Sequence, residues 1–476
     1  MITKRSLNLG TETAFSVLAK ANKLSEQGKE IINLGIGQPD FLTPQHIVEA
    51  GIKALRDGHH GYTLPNGIIE CREAVSKKIK SLYKANIDTE RIIIMPGGKP
   101  TMHYAISFFG EDGVEIIYPD PGFIVERKDN LLGIILTHAH EDHIGAIAHL
   151  WPKLKCKIFA TPFTAVLIRE KFKEKQIDIT NDLQIVELNG SVNLDPFEIE
   201  YITLTHSILE PNGLRIKTPA GVILHTGDWK VDPNPLIGDE INSKRLKEIG
   251  DEGVLAMICD STNVFSAGRS GSELDVRKNL LNIVNRLKKR VIITSFASNV
   301  ARMETAFYCA EKSGRQISLV GRSMHRIYKA ARQCGYLKNT IEPIDPREAK
   351  NFSREKIVYL CTGSQGEPMG AMMRISSYVH PDVFIEKGDA VIFSSKIIPG
   401  NEKKLYKLHN QLVKDGIEVI SEETEFVHVS GHPNREDLKE MYQWVKPRCV
   451  IPVHGEHRHM IEHINFAKEM QVPHPV

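Results

Sequence analysis

The sequence is short of several things, and each shortage excludes a class of protein. Cysteine accounts for seven of 476 residues, scattered as Cys71, Cys156, Cys259, Cys309, Cys334, Cys361 and Cys449 with no C-x-x-C pair. An odd count in a chain this long argues against a disulfide framework and for a reducing, cytoplasmic compartment in which each thiol is a small buried hydrophobe. No apolar run approaches the roughly 20 residues that cross a bilayer. The first ten residues carry two basic side chains and no apolar core, so a secretory leader is not expected there. Internal repeats and low-complexity stretches are absent. An excess of one charge is missing too, because 61 basic and 59 acidic residues leave a net charge of +2. A nucleic-acid partner would therefore need a local basic groove, since no global positive field exists to hold it.

What is present is ordinary globular composition, 41% hydrophobic and 25% charged, in a chain long enough for roughly two or three domains. Its character changes near 119–127. Before that point the pattern predicts helices over 10–30, 43–58 and 68–85, the second with Thr43 as N-cap and Pro44 at its first position. Short extended segments are expected at 31–35, 92–94 and 114–118. After it, apolar strands repeatedly end in His or Asp: 131–137 before His138, 199–205 before His206, 222–224 before His225-Thr226-Gly227-Asp228, and 449–453 before His454. Polar residues at several strand ends converge at one sheet edge, a usual place for a site.

The turn Thr137-His138-Ala139-His140-Glu141-Asp142-His143 packs three imidazoles and two carboxylates together. His138 and His140 are two apart on an extended loop and point the same way, while Asp142 and His143 open a helix and face a second point. Nitrogen and carboxylate oxygen suit zinc, with manganese as the alternative. One metal needs three or four protein ligands, so seven candidates (His138, His140, Asp142, His143, His206, Asp228 and His454) argue for two ions, with Asp228 bridging.

H-x-H-x-D-H followed by a strand-end His, a Gly-Asp and a late His resembles the metallo-β-lactamase superfamily. More narrowly, about 123–476 resembles the RNase J family of the β-CASP branch. The motifs are 136–145 around H-x-H-x-D-H, Thr205-His206-Ser207-Ile208, 225–230, Cys259-Asp260-Ser261-Thr262-Asn263, 361–368, His428-Val429-Ser430-Gly431-His432 and 452–456. The resemblance implies that His138, His140, His206 and Asp228 hold one metal and Asp142, His143, Asp228 and His454 the other. It implies RNA phosphodiester hydrolysis through a metal-bridging hydroxide, exonucleolytic from the 5′ end, endonucleolytic, or both. His432 would give the leaving oxygen its proton, with Asp228 as the second catalytic residue. His428, Val429, Ser430 and Gly431 would hold the scissile phosphate, and the loops at Arg322, Ser323 and Ser364 the RNA 5′ phosphate. A homodimer is a further expectation.

The first part resembles the N-terminal third of a class I/II aminotransferase, through Asn33-Leu34-Gly35-Ile36-Gly37-Gln38-Pro39-Asp40-Phe41, Gly61-Tyr62-Thr63 and Pro96-Gly97-Gly98-Lys99-Pro100. In that family Gly97, Gly98, Lys99 and Tyr62 would touch the phosphate of pyridoxal phosphate. The Schiff-base lysine and its partners would follow the point where the resemblance stops, so bound pyridoxal phosphate is not expected. The chain therefore resembles a fusion. Its fold class is α/β: an aminotransferase-like fragment over 1–122, a metallo-β-lactamase αββα sandwich over 123–268 lacking its first strands, a β-CASP insert over 269–425 and a return segment over 426–476. The C-terminus is expected to stop short of a small domain that the family carries. Missing strands would leave a bare sheet edge. The alternatives to an RNase J-like zinc ribonuclease are a catalytically impaired fusion of two truncated genes, an aminotransferase remnant, and a hydrolase of small molecules.

Overall fold

The computed structural model describes residues 13–31, 41–95, 118 and 120–476. Contacts divide the chain into two compact units, Met1–Val114 and Glu115–Val476. Three α-helices are described in the first: Thr13–Glu26, Gln45–Arg56 and Ile69–Tyr83. The second of them starts later than expected. No side chain caps it, and Pro44 occupies the cap position that the sequence pattern gives to Thr43. Gly58, at φ +85°, follows its end in the left-handed conformation that suits a stop. The strand expected at 92–94 does not form. Ile94 N–H donates once, to Asn66 at 3.1 Å, and no strand lies beside it among the described residues. The segments expected at 31–35 and 114–118 lie, but for Ile31 and Tyr118, outside the described residues.

The second unit opens with β1 (Gly133–Ile135), β2 (Lys157–Ala160) and β3 (Leu183–Ile185), a parallel sheet in that order. Among the described residues β1 has no neighbour but β2. A second sheet then forms from β4 (Ser191–Leu194), β5 (Phe197–Thr203), β6 (Asn212–Thr218), β7 (Gly221–His225) and β8 (Val254–Asp260). The chain leaves it to build β9 (Val291–Thr294), β10 (Gln316–Val320), β11 (Ile357–Cys361), β12 (Ala390–Phe393) and β13 (Glu418–Ile420). These make a third sheet, all parallel, in the order β10-β11-β9-β12-β13. The chain returns as β14 (Cys449–Val453) and β15 (His474–Pro475), completing the second sheet as β15-β14-β8-β7-β6-β5-β4.

Burial explains the layers. Phe159, Val186, Ile199, Tyr201 and Leu214 fill the space between the first two sheets. Leu246, Ile249, Leu438, Met441 and Val445 from helices Ser243–Glu252 and Arg435–Val445 cover the second sheet's other face. Strands β9, β11 and β12 are buried at every position, as near-continuous apolar runs in a parallel sheet covered on both faces require. Because β7, β8 and β14 are mutually parallel, their C-terminal ends meet at one edge. No described helix is long and apolar enough to cross a membrane.

Candidate metal centre

Each functional loop leaves that edge for a local reason. Thr205 and Lys230 pair across an isolated antiparallel bridge, Lys230 N–H donating to the Thr205 carbonyl at 2.8 Å and Thr205 Oγ1 to the Lys230 carbonyl at 2.7 Å. That bridge sets the His206 and Asp228 loops side by side. Gly227 makes the turn into Asp228 at φ +57°, and a Cβ there would sit 2.9 Å from the Asn212 carbonyl oxygen. Asp142 and His143 fall inside the short helix Glu141–Ile144, and a separate helix, Ile147–Leu154, follows, where the sequence suggested one continuous helix. His454 leaves β14 in the left-handed region, φ +60°, which is uncommon without glycine. Thr262 Oγ1 holds it there, 2.8 Å from its Nδ1 and 3.2 Å from its carbonyl oxygen.

The loops bring all seven candidate ligands together around one carboxylate. Asp228 Oδ2 lies 3.2 Å from His143 Nε2, 3.6 Å from His454 Nε2, 3.7 Å from His138 Nε2 and 3.9 Å from His206 Nε2. His140 Nδ1 is 2.9 Å from His206 Nε2, and Asp142 Oδ2 is 3.2 Å from His454 Nε2. Two donor sets result, His138–His140–His206–Asp228 and Asp142–His143–Asp228–His454, the atoms of each within 4.8 Å of one another. The chemistry fits a pair of divalent cations. His138 Nε2 is buried without a hydrogen-bond partner. Burial holds His138 and His206 well below their ordinary range and takes His140 down to about 4, so all three offer neutral lone pairs. Hydrogen bonds to the Asp142 and Asp260 carboxylates raise His454 to about 11, and carboxylates that favour a proton there favour a metal cation too.

A third set gathers around a residue to which the sequence reading gave no role. Asp260, fully buried at the end of β8, lies 2.8 Å from His432 Nδ1 and 3.4 Å from His454 Nδ1. It groups with Asp228, His432 and His454. Burial alone would lower His432, but the charge and hydrogen bond of Asp260 raise it. The signal was available, since β8 ends in Asp just as its neighbours end in or before His.

His428 to His432 lie beside the centre. Asn263 Nδ2 donates to Ser430 Oγ at 2.7 Å, and the Gly431 carbonyl meets His206 Nδ1 at 2.5 Å. Val429 is buried. His428 is kept neutral by burial first and then by the charges of Arg302, Lys396 and Lys230, a setting that favours an anion. In the third sheet β10 neighbours β11, so Gly321-Arg322-Ser323 lies against Thr362-Gly363-Ser364. A Cβ on Gly321 would come 2.6 Å from Thr362 Oγ1. Ser364 is buried with its hydroxyl unpartnered. Tyr62 is fully exposed, and Gly97, Gly98 and Lys99 lie outside the described residues.

Comparison with known proteins decides the family. Ribonuclease J 1 of Streptococcus pyogenes is 36% identical over 402 residues, covering 83% of this chain and 69% of that protein. The chain belongs to the ribonuclease J family. Ribonuclease J of Sinorhizobium meliloti is 41% identical over 363 residues, 76% of this chain and 64% of that protein. Ribonuclease J of Synechocystis is 37% identical over 366 residues, 76% of this chain and 57% of that protein. The chain thus spans less than two thirds of the length of some ribonuclease J relatives. The family model of the ribonuclease J beta-CASP domain matches 288–412, which holds β9 to β12, and that of the metallo-beta-lactamase superfamily matches 96–252. The Zn-dependent metallo-hydrolase RNA specificity domain matches 416–474. Aminotransferase class I and II matches 29–124, overlapping the metallo-beta-lactamase match over 96–124. The architecture is therefore α/β, a metallo-β-lactamase sandwich carrying a β-CASP domain, with an aminotransferase-like segment before it.

Proposed function

We propose that this chain is a metal-dependent ribonuclease that hydrolyses RNA phosphodiester bonds, from a 5′ end, internally, or both. In this reading His138, His140, His206 and Asp228 hold one ion and Asp142, His143, Asp228 and His454 the other. The ions are two zinc, with manganese as the alternative. When bound, such a pair activates water and offsets the charge that develops at phosphorus. The observation that carries the reading is the position of Asp228 Oδ2, within 3.2–3.9 Å of ring nitrogens from four histidines.

The chain's own groups supply the rest. Asp260 engages His432 Nδ1, leaving Nε2 to pass a proton to the departing oxygen. His428, Ser430 and the Gly431 backbone grip the scissile phosphate, while Arg322, Ser323 and Ser364 receive a 5′ phosphate. The domain limits that go with this reading are 1–122, 123–268, 269–425 and 426–476, the location is the cytoplasm, and the active form is a homodimer. The test is cleavage of 5′-monophosphorylated RNA together with metal analysis. About two zinc ions per chain and loss of cleavage in His140→Ala are expected. An unchanged rate in that variant overturns the ligand assignment.

A further inference from the structure

Two acidic side chains sit next to the metal loops, one reaching a helix of the β-CASP domain and the other the turn just after it. Glu210 lies four residues after His206, and Glu141 lies between His140 and Asp142. Glu210 is 7% exposed, with its backbone in the left-handed region at φ +54°. Its carboxylate accepts the Phe163 N–H at 2.7 Å, in the first turn of helix Pro162–Glu174, and the Tyr336 hydroxyl at 3.2 Å. Its carbonyl accepts Asn212 Nδ2 at 2.7 Å. The same Nδ2 and the Asn212 backbone N–H both donate, at 3.1 Å, to the carbonyl of Thr137, the neighbour of His138. One buried acid therefore ties together the His206 loop, the His138 loop, a helix of the sandwich and the β-CASP domain.

Tyr336 lies just beyond helix Arg322–Gln333. From that helix Arg326 approaches Glu141 at 3.7 Å, Glu170 at 3.9 Å and Glu174 at 3.6 Å. Lys171 Nζ holds Glu141 from the other side at 2.6 Å. Exposed pairs such as these contribute little individually. The buried Glu210 bonds carry more, because a desolvated carboxylate that loses a donor keeps the cost of its burial. None of these side chains is in a metal donor set.

We propose that helix 322–333 and the turn after it form a strut that sets the metal loops, with Glu210, Tyr336 and Arg326 as positioning residues. The proposal rests on the metal-centre reading above. A loop displaced by a fraction of an ångström spoils a donor set of fixed spacing, so the strut acts on metal affinity and turnover, leaving RNA affinity alone. The test compares the full-length chain with Tyr336→Phe, which deletes a single oxygen, and with Glu210→Gln. Zinc affinity is measured by competition with a chromophoric chelator, alongside kcat, KM and the thermal midpoint. About 10-fold weaker zinc binding and a similar fall in kcat are expected in Tyr336→Phe, with KM and the midpoint unchanged. Zinc affinity and kcat equal to those of the parent chain overturn the strut alone, as does a loss that merely tracks a lower midpoint. A parent chain that takes up no zinc overturns the metal-centre reading, and the strut with it.

Discussion

Asp260 shows what one residue contributes to a centre built from distant parts. Its two imidazole partners lie 172 and 194 positions along the chain, so no local pattern pairs them. The seven ligand candidates were legible from local signals: His140, Asp142 and His143 cluster in H-x-H-x-D-H, and His138, His206, Asp228 and His454 follow the ends of apolar strands. Asp260 carries the same signal, but its role depends on which strand lies beside β8, and that is settled by packing. The Asp260→Asn variant keeps shape and removes charge, so His432 and His454 lose the carboxylate that orients them. Zinc affinity should fall by about 10- to 100-fold, read by chelator competition. Gly431 is a second case. A Cβ there would lie 2.7 Å from Ser207 Oγ and 2.8 Å from the His206 ring. In Gly431→Ala the imidazole must move, and kcat should drop by about 100-fold while circular dichroism stays unchanged.

At the scale of elements, helix Val300–Lys312 carries a fully buried arginine into the β-CASP core. Arg302 forms a bidentate pair with Glu273 at 3.0 Å and donates to the carbonyls of Ser394 and Val427 at 2.8 and 2.9 Å. Val427 immediately precedes His428, so this pair also fixes the start of the loop at His428. Arg302→Met strands Glu273 as an unpaired buried charge and should cost about 3–5 kcal/mol in urea unfolding. Helix His457–Glu469 offers a pH prediction through His463, which burial lowers to about 4. An unfolded histidine titrates near 6.5, so the neutral folded form is favoured fully above that pH. That stability is lost as pH falls from about 6.5 toward 4, by up to ~3 kcal/mol. His463→Gln should flatten the acid limb of the urea midpoint against pH, and an unaltered limb counts against this role. Elements differed in how readable they were. The runs at 131–137, 199–205 and 449–453 were readable as apolar stretches leading to a His, and strands β1, β5 and β14 form there. The triplet Ile92-Ile93-Ile94 reads as an apolar run too but forms no strand, and no strand lies beside it among the described residues.

Across the whole molecule, the centre spans His138 to His454, and β14 reaches β8 only after the β-CASP domain has been threaded between them. The second donor set, Asp142–His143–Asp228–His454, therefore exists only once β14 has docked on β8 beyond the insert, and a cation that binds both sets favours the native state. Such a ligand stabilises by about 2.7 kcal/mol at a hundredfold excess over Kd. The first unit stands differently. Over 41–95, Arg72 and Ile92 alone are buried, while Phe41, Leu42 and Leu55 are 75%, 91% and 64% exposed. So little buried apolar surface among the described residues leaves that part little to melt cooperatively. In calorimetry the main transition should thus belong to the second unit. Chelator should lower it and zinc restore it, while any signal from the first unit ignores both. A main transition that neither chelator nor zinc displaces would mean that no metal is linked to folding, and the seven clustered side chains would then need another explanation.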